Sequence, residues 1–377
     1  MMPQKIRLVA SGFGDPKSGG TASGVPLNFF KELSKSVDIV HTISSNQLKL
    51  IDIFRGIVDP TKSFHRRKFS LRPNKRWTQK TVGIFSRRIE NELKNIAEFD
   101  CVFEIGTNFW LNIPGVRHFS RSDMTIAQAA RSGFFRGGKL SPSELIEAIK
   151  TQRLVYDNCD GIFVPSAWTK NSIIEDYGQC PDKVHVVGLG ANLPSVEFEG
   201  KTDFLPNIVF VGRDWHRKGG ELLVEAFRIV RKEIPEARLS IVGCSPKLQE
   251  ESVSVLGHLD KQNPKDMAVL QGVLRSSSIL CVPSIYEPFG ICFVEAQLMG
   301  VVPVSFSGEG RDEAILDGVS GVLVTERSAG ALAHAITNLL SNQSKLQNMH
   351  MAGQQYALAN FTWSRVIEKV SAVMQKN

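Results

Sequence analysis

The stretch Ser278–Gly300, with the sequence SILCVPSIYEPFGICFVEAQLMG, contains a short apolar strand, a loop and a helix in that order. Glu287 lies in the loop, and Glu295 lies about one turn into the helix within an otherwise apolar run. A carboxylate among apolar neighbours is costly unless a partner binds it. The amides at Gly290 and Ile291 begin the helix without acceptors inside it, so they suit a phosphate. The stretch therefore predicts a ligand that carries both phosphate and hydroxyl groups.

Similar short apolar runs alternate with helical patterns along all 377 residues. Strand, helix and strand repeated in this way predict parallel sheets covered on both faces. The predicted fold class is α/β, with two doubly wound Rossmann-like domains that face one another across a cleft. A polar, proline-flanked segment, 194–206, is typical of a linker and places the domain boundary near residue 193. The predicted domains are 1–192 and 193–362, followed by an amphipathic helix at 363–377.

The positive charge is uneven. The formal net charge is +7, yet residues 1–192 carry 27 Lys and Arg against 18 Asp and Glu. Most of the excess lies in residues 61–89, which contain no acid and interleave aromatic side chains. This pattern favours an anionic surface, either lipid headgroups or nucleic acid, although a solvated surface explains it equally simply. Nucleic acid is not expected as a partner, because no recognition motif accompanies the charge.

No apolar run approaches the roughly 18 residues that would span a bilayer. The N-terminus enters a strand pattern directly. We therefore expect a cytoplasmic protein, at most bound to the inner face of the membrane through residues 61–89.

A second motif, VFVGRDWHRKGG, follows another strand. Arg213 and Lys218, five residues apart after the strand end at Gly212, could clamp a diphosphate, although surface cations are the plain alternative. A leaving diphosphate stabilised by these cations departs without a metal. No D-x-D pair is found in the sequence, so we expect no metal and no cofactor, with a sugar nucleotide bound as substrate.

Together, EPFGICFVE, FVGRDWHRKGG and DGVSGVLV resemble the C-terminal domain of family-four retaining glycosyltransferases, which have the GT-B fold. The resemblance covers most of residues 205–375 and extends more loosely to the first half. It implies that the final helix packs back on the first domain. It also implies roles for Arg213 and Lys218 at the donor diphosphate, for Glu287 at the transferred sugar and for Glu295 at the ribose. The other donor-binding residues that it implies are Phe289, Gly290, Ile291, His258 and Leu259.

In the first half, the resemblance implies that Gly19 and Gly20 approach the donor. A dinucleotide-binding fingerprint is not met, because the third glycine of the pattern comes too late. His118 and Asp123, which follow a predicted strand, are two candidates for the active-site residue of this domain, and a structural histidine is the plain alternative for His118.

The sequence thus predicts a retaining glycosyltransferase. It would move a hexosyl group from a UDP-, GDP- or ADP-sugar to a glycan, lipid-linked or small-molecule acceptor, with no protein nucleophile. Two alternatives stay open: another GT-B sugar-nucleotide enzyme, such as an epimerase, and a non-catalytic nucleotide-sugar-binding protein. A phosphorylase is disfavoured, because neither a pyridoxal-binding lysine nor the necessary chain length is evident.

Overall fold

A computed structural model describes most of the chain, and its contacts divide it into two units. The described residues are 5–17, 24–46, 48–58, 73–133, 140–193 and 204–376. Unit 1 comprises Met1–Val187 with Ile367–Asn377, and unit 2 comprises Gly188–Val366. These divisions lie four to five residues from the boundaries at 192/193 and 362/363 that the sequence suggests.

Unit 1 contains one six-stranded sheet in which all neighbouring strands are parallel. The strand order is β2-β1-β3-β4-β5-β6. The strands are β1 (Arg7–Gly12), β2 (Asp38–Ser44), β3 (Cys101–Ile105), β4 (Arg117–Arg121), β5 (Gly161–Val164) and β6 (Val184–Val186).

Helices lie in most of the connections between these strands, whereas β3 and β4 are joined by a loop. Those in the described part of unit 1 are α1 (Val25–Leu33), α2 (Ile51–Phe54), α3 (Gln79–Leu93), α4 (Ile126–Arg131), α5 (Pro142–Asp157) and α6 (Ala167–Glu175). Side-chain caps set several of their starts. Thr125 and Ser141 each form a capping box with the residue three positions later, which satisfies amides that the helix leaves unbonded.

Unit 2 repeats this architecture with a second all-parallel, six-stranded sheet, in the order β12-β11-β10-β7-β8-β9. Its strands are β7 (Asn207–Val211), β8 (Arg238–Val242), β9 (Val253–Gly257), β10 (Ile279–Cys281), β11 (Val302–Phe306) and β12 (Val322–Val324). Its helices are α7 (Gly220–Glu233), α8 (Pro264–Ser276), α9 (Ile291–Leu298), α10 (Arg311–Ala314), α11 (Ala329–Leu340) and α12 (Gln343–Asn360).

The last helix, α13 (Trp363–Lys376), groups with unit 1 from Ile367 onward. Within unit 1, Arg117 Nη1 donates to the carbonyl oxygen of Met374 at 2.7 Å, and the hydroxyls of Ser36 and Ser371 are 3.1 Å apart. These bonds attach the end of the chain to β4 and to the loop after α1.

The two strand orders confirm the predicted α/β class of two doubly wound sheets. In such sheets a ligand binds where the strand order reverses, beyond the carboxyl ends of the strands. In unit 2 the reversal lies between β7 and β10, which are hydrogen-bonded neighbours. The loops after these two strands carry the two motifs that the sequence singles out, at Gly212–Lys218 and at Glu287–Glu295.

Glu104, on the central strand β3, is a buried carboxyl group in the sheet of unit 1. Its register neighbours are Ser11 on β1 and Ser120 on β4, and its side chain is completely buried. Asn108 donates to Glu104 Oε1 from its backbone amide at 2.8 Å and from its side chain at 2.7 Å. Burial, only partly offset by these bonds, raises the pKa of Glu104 to about 8. The carboxyl group is therefore protonated at neutral pH.

We predict that Glu104→Gln stabilises unit 1 at alkaline pH. Because the folded pKa lies above the ordinary 4.5, unfolding releases a proton, and stability falls as pH rises from 4.5 to about 8. The neutral amide should remove this slope and add on the order of 4 kcal/mol to the free energy of unfolding at pH 8. Urea unfolding across this pH range measures both the pH slope and the free energy of unfolding. Glu147→Gln, exposed on α5, should change neither, and an unchanged slope in Glu104→Gln would contradict the prediction.

Candidate functional site

The loop after β7 turns sharply into α7, and glycines make the turn possible. Gly219 has a φ of 74°, and a Cβ atom built there would lie 2.1 Å from the carbonyl oxygen of Pro283. At Gly220 a Cβ would lie 2.2 Å from the ring of Trp215. No side chain fits at either position. The backbone of this loop therefore lies directly against the loop that follows β10.

The loop after β10 ends at Gly290, which precedes α9 with a φ of 89°. No acceptor among the described residues is found for the amides of Ile291 and Cys292, the first two residues of the helix. As predicted, the helix begins directly after Glu287-Pro288-Phe289-Gly290, and Glu295 lies about one turn inside it. Unbonded amides and the helix dipole together make this end of α9 suitable for an anion.

Glu287 joins the two loops through an ion pair with Lys218. Both side chains are nearly buried, and Lys218 Nζ donates to Oε2 of the carboxylate. Ser284 Oγ donates to the same oxygen at 3.3 Å, and Arg217 Nη1 lies 3.7 Å from it. Burial alone would raise the pKa of Glu287, but Lys218, Arg217 and Arg311 outweigh burial and lower it below 4.5. The carboxylate is therefore charged at neutral pH.

A third loop, after β11, supports this carboxylate from behind. Arg311 is completely buried and donates to the carbonyl oxygens of Ser284 at 2.8 Å and Gly308 at 2.9 Å. It also forms an ion pair with Glu309, whose carboxylate accepts from the amide of Glu287 at 3.4 Å. Glu309 has a left-handed backbone with φ of 55°, which is uncommon for a residue with a side chain. This charged network binds the loops after β10 and β11 together.

Glu295 is buried on α9 and has a different cation, Lys261. Lys261 Nζ and the amide of Asn192 both donate to Glu295 Oε1, the amide at 3.2 Å. Trp363 Nε1 donates in turn to the side chain of Asn192 at 3.0 Å. This pair could not be predicted from local sequence, because Lys261 lies 34 residues away in the loop after β9.

In both glutamates the described residues bind only one carboxylate oxygen. The described residues donate to Oε2 of Glu287 and to Oε1 of Glu295. No hydrogen bond from them reaches the other oxygen of either residue. Each glutamate is thus held in place by a cation and keeps an acceptor for a ligand hydroxyl.

Each carboxylate near the start of α9 has a cation beside it. Arg217 and Lys218 lie beside Glu287, Lys261 pairs with Glu295, and Arg311 pairs with Glu309. Arg213, two residues after β7, is exposed and has no ion pair with a described residue, whereas its neighbour Asp214 lies 3.9 Å from Arg217. A diphosphate could therefore bind Arg213 without displacing an internal partner.

The remaining predicted donor-binding residues of unit 2 differ in exposure. Phe289 is buried and packs edge-to-face on Phe361 at 5.5 Å, so only its backbone is available to a ligand. Ile291 is half-buried. His258 is exposed and Leu259 half-buried directly after β9, three and two residues before Lys261. The pair between Lys261 and Glu295 brings this segment to α9.

The structure contradicts a donor contact by His118. The residue lies within β4 rather than after it, with 1% of its surface exposed. Its ring stacks on Phe109 at 5.1 Å, and its Nε2 lies 3.9 Å from Glu104 Oε2. Burial and Lys183 lower the pKa of His118 to about 3, so the ring is neutral. The structural role that the sequence offered as the alternative is the one that fits.

Asp123 is the better placed of the two candidates. It lies beyond the carboxyl end of β4 with half of its side chain exposed, and buried Arg121 donates to its Oδ1 at 2.8 Å. Thr169 Oγ1 donates to its backbone oxygen at 2.9 Å. Gly19 and Gly20 lie outside the described residues. Whether Asp123 meets a substrate stays a prediction.

Across the described ranges, no three His, Cys, Asp or Glu side chains lie together as metal ligands. Within the same ranges, no helix has the length and apolar character to cross a bilayer. The expectation that no metal or cofactor takes part remains a prediction.

The fold is that of the GT-B class. HepE of Anabaena, in a structure with UDP, superposes with a TM-score of 0.67 at 14% identity, covering 99% of this chain and 100% of that one. At this identity the likeness defines the fold alone. Within the fold, residues 197–356 match the family described as glycosyl transferases group 1. The resemblance seen in the sequence is thereby confirmed.

Curated relatives match a smaller share of this chain than HepE does. D-inositol 3-phosphate glycosyltransferase of Corynebacterium diphtheriae is 29% identical over 285 residues, which are 70% of this chain. Alpha-maltose-1-phosphate synthase of Mycolicibacterium smegmatis is 24% identical over 252 residues, or 60% of this chain. The match spans 65% of the length of each of these two relatives.

We predict that Glu287→Ala destabilises unit 2 by on the order of 3 kcal/mol, because it leaves the buried charge of Lys218 without a partner. Urea unfolding at pH 7 measures the loss. Glu326→Ala removes an exposed carboxylate from the same unit and should cost far less. Equal effects in the two variants would mean that the pair with Lys218 does not support the loops.

Proposed function

We propose that this protein is a retaining glycosyltransferase that moves a hexosyl group from a nucleotide-sugar donor to an acceptor without a metal. The observation that carries the proposal is the arrangement around α9. Two buried glutamates, each held by a lysine and each with one oxygen available, lie before and after the unbonded amides of Ile291 and Cys292. A nucleotide sugar has the matching order of groups, namely sugar hydroxyls, diphosphate and ribose hydroxyls.

Each residue then has a role that its surroundings support. Glu287 accepts from a hydroxyl of the transferred sugar, and Glu295 accepts from the ribose. The diphosphate binds the amides at Gly290 and Ile291, with Arg213 and Lys218 beside it. The developing negative charge on the leaving phosphate is stabilised by these preorganised donors, which contribute to catalysis without moving during the reaction.

The proton of the acceptor hydroxyl passes, in this proposal, to the departing phosphate on the same face of the sugar. The new glycosidic bond then forms with retention of configuration, and no side chain acts as nucleophile. Unit 1 would hold the acceptor, with Asp123 as its candidate active-site residue. A UDP-sugar is the donor to test first, since HepE has been solved with UDP and with UDP-glucose.

The acceptor would be a glycan, a lipid-linked sugar or a phosphorylated small molecule. Relatives named for inositol phosphate, maltose-1-phosphate and mannosylfructose-phosphate support the last class. The basic stretch 61–89 supports a lipid-linked acceptor, met in the cytoplasm at an anionic membrane face; its residues 61–72 lie outside the described ranges.

The test is release of nucleoside diphosphate from a panel of UDP-, GDP- and ADP-sugars in the presence of EDTA. We expect release from one donor class and a loss of activity in Glu295→Ala. Donor binding without any turnover, with and without candidate acceptors, would instead favour the non-catalytic alternative. Inversion at the anomeric carbon of the product, read by NMR, would exclude the retaining mechanism.

We predict that Arg213→Ala lowers kcat/KM for the donor about 10- to 100-fold, because a charge-assisted contact to phosphate contributes roughly 1.5–3 kcal/mol. Steady-state kinetics measure this change. Lys232→Ala removes an exposed cation from the last turn of α7 and should leave kcat/KM unchanged. An equal fall in both variants would indicate that only the overall charge of the unit matters.

A further inference from the structure

Helix α2 of unit 1 exposes apolar side chains to solvent instead of burying them. Leu50, Ile51, Ile53 and Phe54 are 65%, 52%, 38% and 87% exposed, and they are consecutive apart from Asp52. We call these four side chains the apolar tip. Single exposed apolar residues are ordinary, whereas a contiguous group marks an interaction surface.

The orientation of α2 is held by its single acid. Asp52 is completely buried, and Arg88 on α3 binds its two oxygens at 2.7 and 2.8 Å. Arg55 lies 3.2 Å from the same carboxylate, and the amide of Lys49 donates to it at 2.8 Å. Burial would raise the pKa of Asp52, but these contacts lower it. The usual amphipathic arrangement is thus reversed, with the acid inside and the apolar residues outside.

The chain on both sides of α2 is anchored in the core. Ile57 and Val58 follow it and are buried in a cluster with Ile84 and Phe85, and Leu48 packs against the same cluster. Rotating α2 to bury the apolar tip would expose or break the pair between Asp52 and Arg88. Removing one partner of a buried pair costs several kcal/mol, roughly 3–5. The apolar tip therefore remains outside.

Along the chain, the apolar tip lies next to positive charge. Lys49 and Arg55 flank it directly. In sequence, residues 49–89 carry twelve Lys and Arg but only two Asp, and one of these is the buried Asp52. Apolar side chains among cations match an anionic bilayer interface, where hydrocarbon and phosphate lie within a few ångström of each other. Nucleic acid supplies phosphate but no hydrocarbon.

We propose that the apolar tip inserts into the interface of anionic membranes while Lys49 and Arg55 bind the lipid phosphates. Burying a large apolar side chain contributes about 1.5–3 kcal/mol, and each nearby cation adds about 1 kcal/mol. Four such side chains with their flanking cations are sufficient for reversible binding. The inference extends the proposed function and rests on it, because membrane binding would bring a transferase to a lipid-linked acceptor.

The test is co-sedimentation of the full chain with vesicles, without any donor. Vesicles of phosphatidylglycerol and phosphatidylcholine are compared with phosphatidylcholine alone. We expect binding to the anionic vesicles only, and a fall in the partition constant of at least about tenfold in Ile51→Ser/Phe54→Ser. The matched control is Ile146→Ser/Val319→Ser, which removes two exposed apolar side chains elsewhere and should bind like the natural chain.

Several outcomes would overturn the inference. They are absence of binding to anionic vesicles, equal binding by both double variants, and salt-sensitive binding that does not depend on Ile51 and Phe54. A dimer in gel filtration that the Ile51→Ser/Phe54→Ser change disperses would assign the apolar tip to a second copy. The two double variants must have the same midpoint of thermal unfolding, so that a difference in vesicle binding does not reflect a difference in stability. Because nucleotide release from a soluble donor is measured separately, failure of vesicle binding leaves the proposed transferase activity intact.

Discussion

The ion pair between Lys218 and Glu287 is the interaction on which the candidate site depends. It joins the loops that follow β7 and β10, the two strands at which the order of the sheet in unit 2 reverses. Burying either charge alone would be unfavourable, so each residue needs the other. Arg311 then attaches a third loop to the same place through the carbonyl oxygens of Ser284 and Gly308. Three strand ends thus converge on one carboxylate, which explains how the nearly buried charge of Glu287 is accommodated.

Much of the fold could be predicted because most strands are continuous apolar runs, as expected where both faces of a sheet are covered. Two strands, β4 and β9, depart from this pattern for opposite reasons. In β4, with the sequence RHFSR, polar side chains are buried and satisfied by tertiary partners, for example Ser120 Oγ by the carbonyl oxygen of Gly106. In β9, an edge strand with the sequence VSVLG, the apolar side chains are largely exposed, so the strand is not covered on both faces. Neither condition can be recognised from local sequence.

The candidate site was predictable where its residues follow one another along the chain. The positions of Glu287 and Glu295 relative to the start of α9 follow from local spacing. Lys261 was missed, because a contact across 34 residues depends on the tertiary fold. His118 was misjudged, because the strand that buries it was not recognised. The buried pair of Asp52 with Arg88 is a further long-range contact, between residues 36 positions apart. The apolar residues next to Asp52 in the sequence do not indicate this partner.

The close approach at Gly219 has a consequence for binding kinetics and entropy. With a carbonyl oxygen where a side chain would be, the loops after β7 and β10 are in direct backbone contact. They are therefore expected to fluctuate together rather than separately. A ligand would meet a preorganised surface, and little conformational freedom would be lost on association. Differences in affinity between ligands would then arise mainly from the dissociation rate constant. Engineering for tighter binding should therefore add contacts around the exposed Arg213 rather than make the loops more rigid.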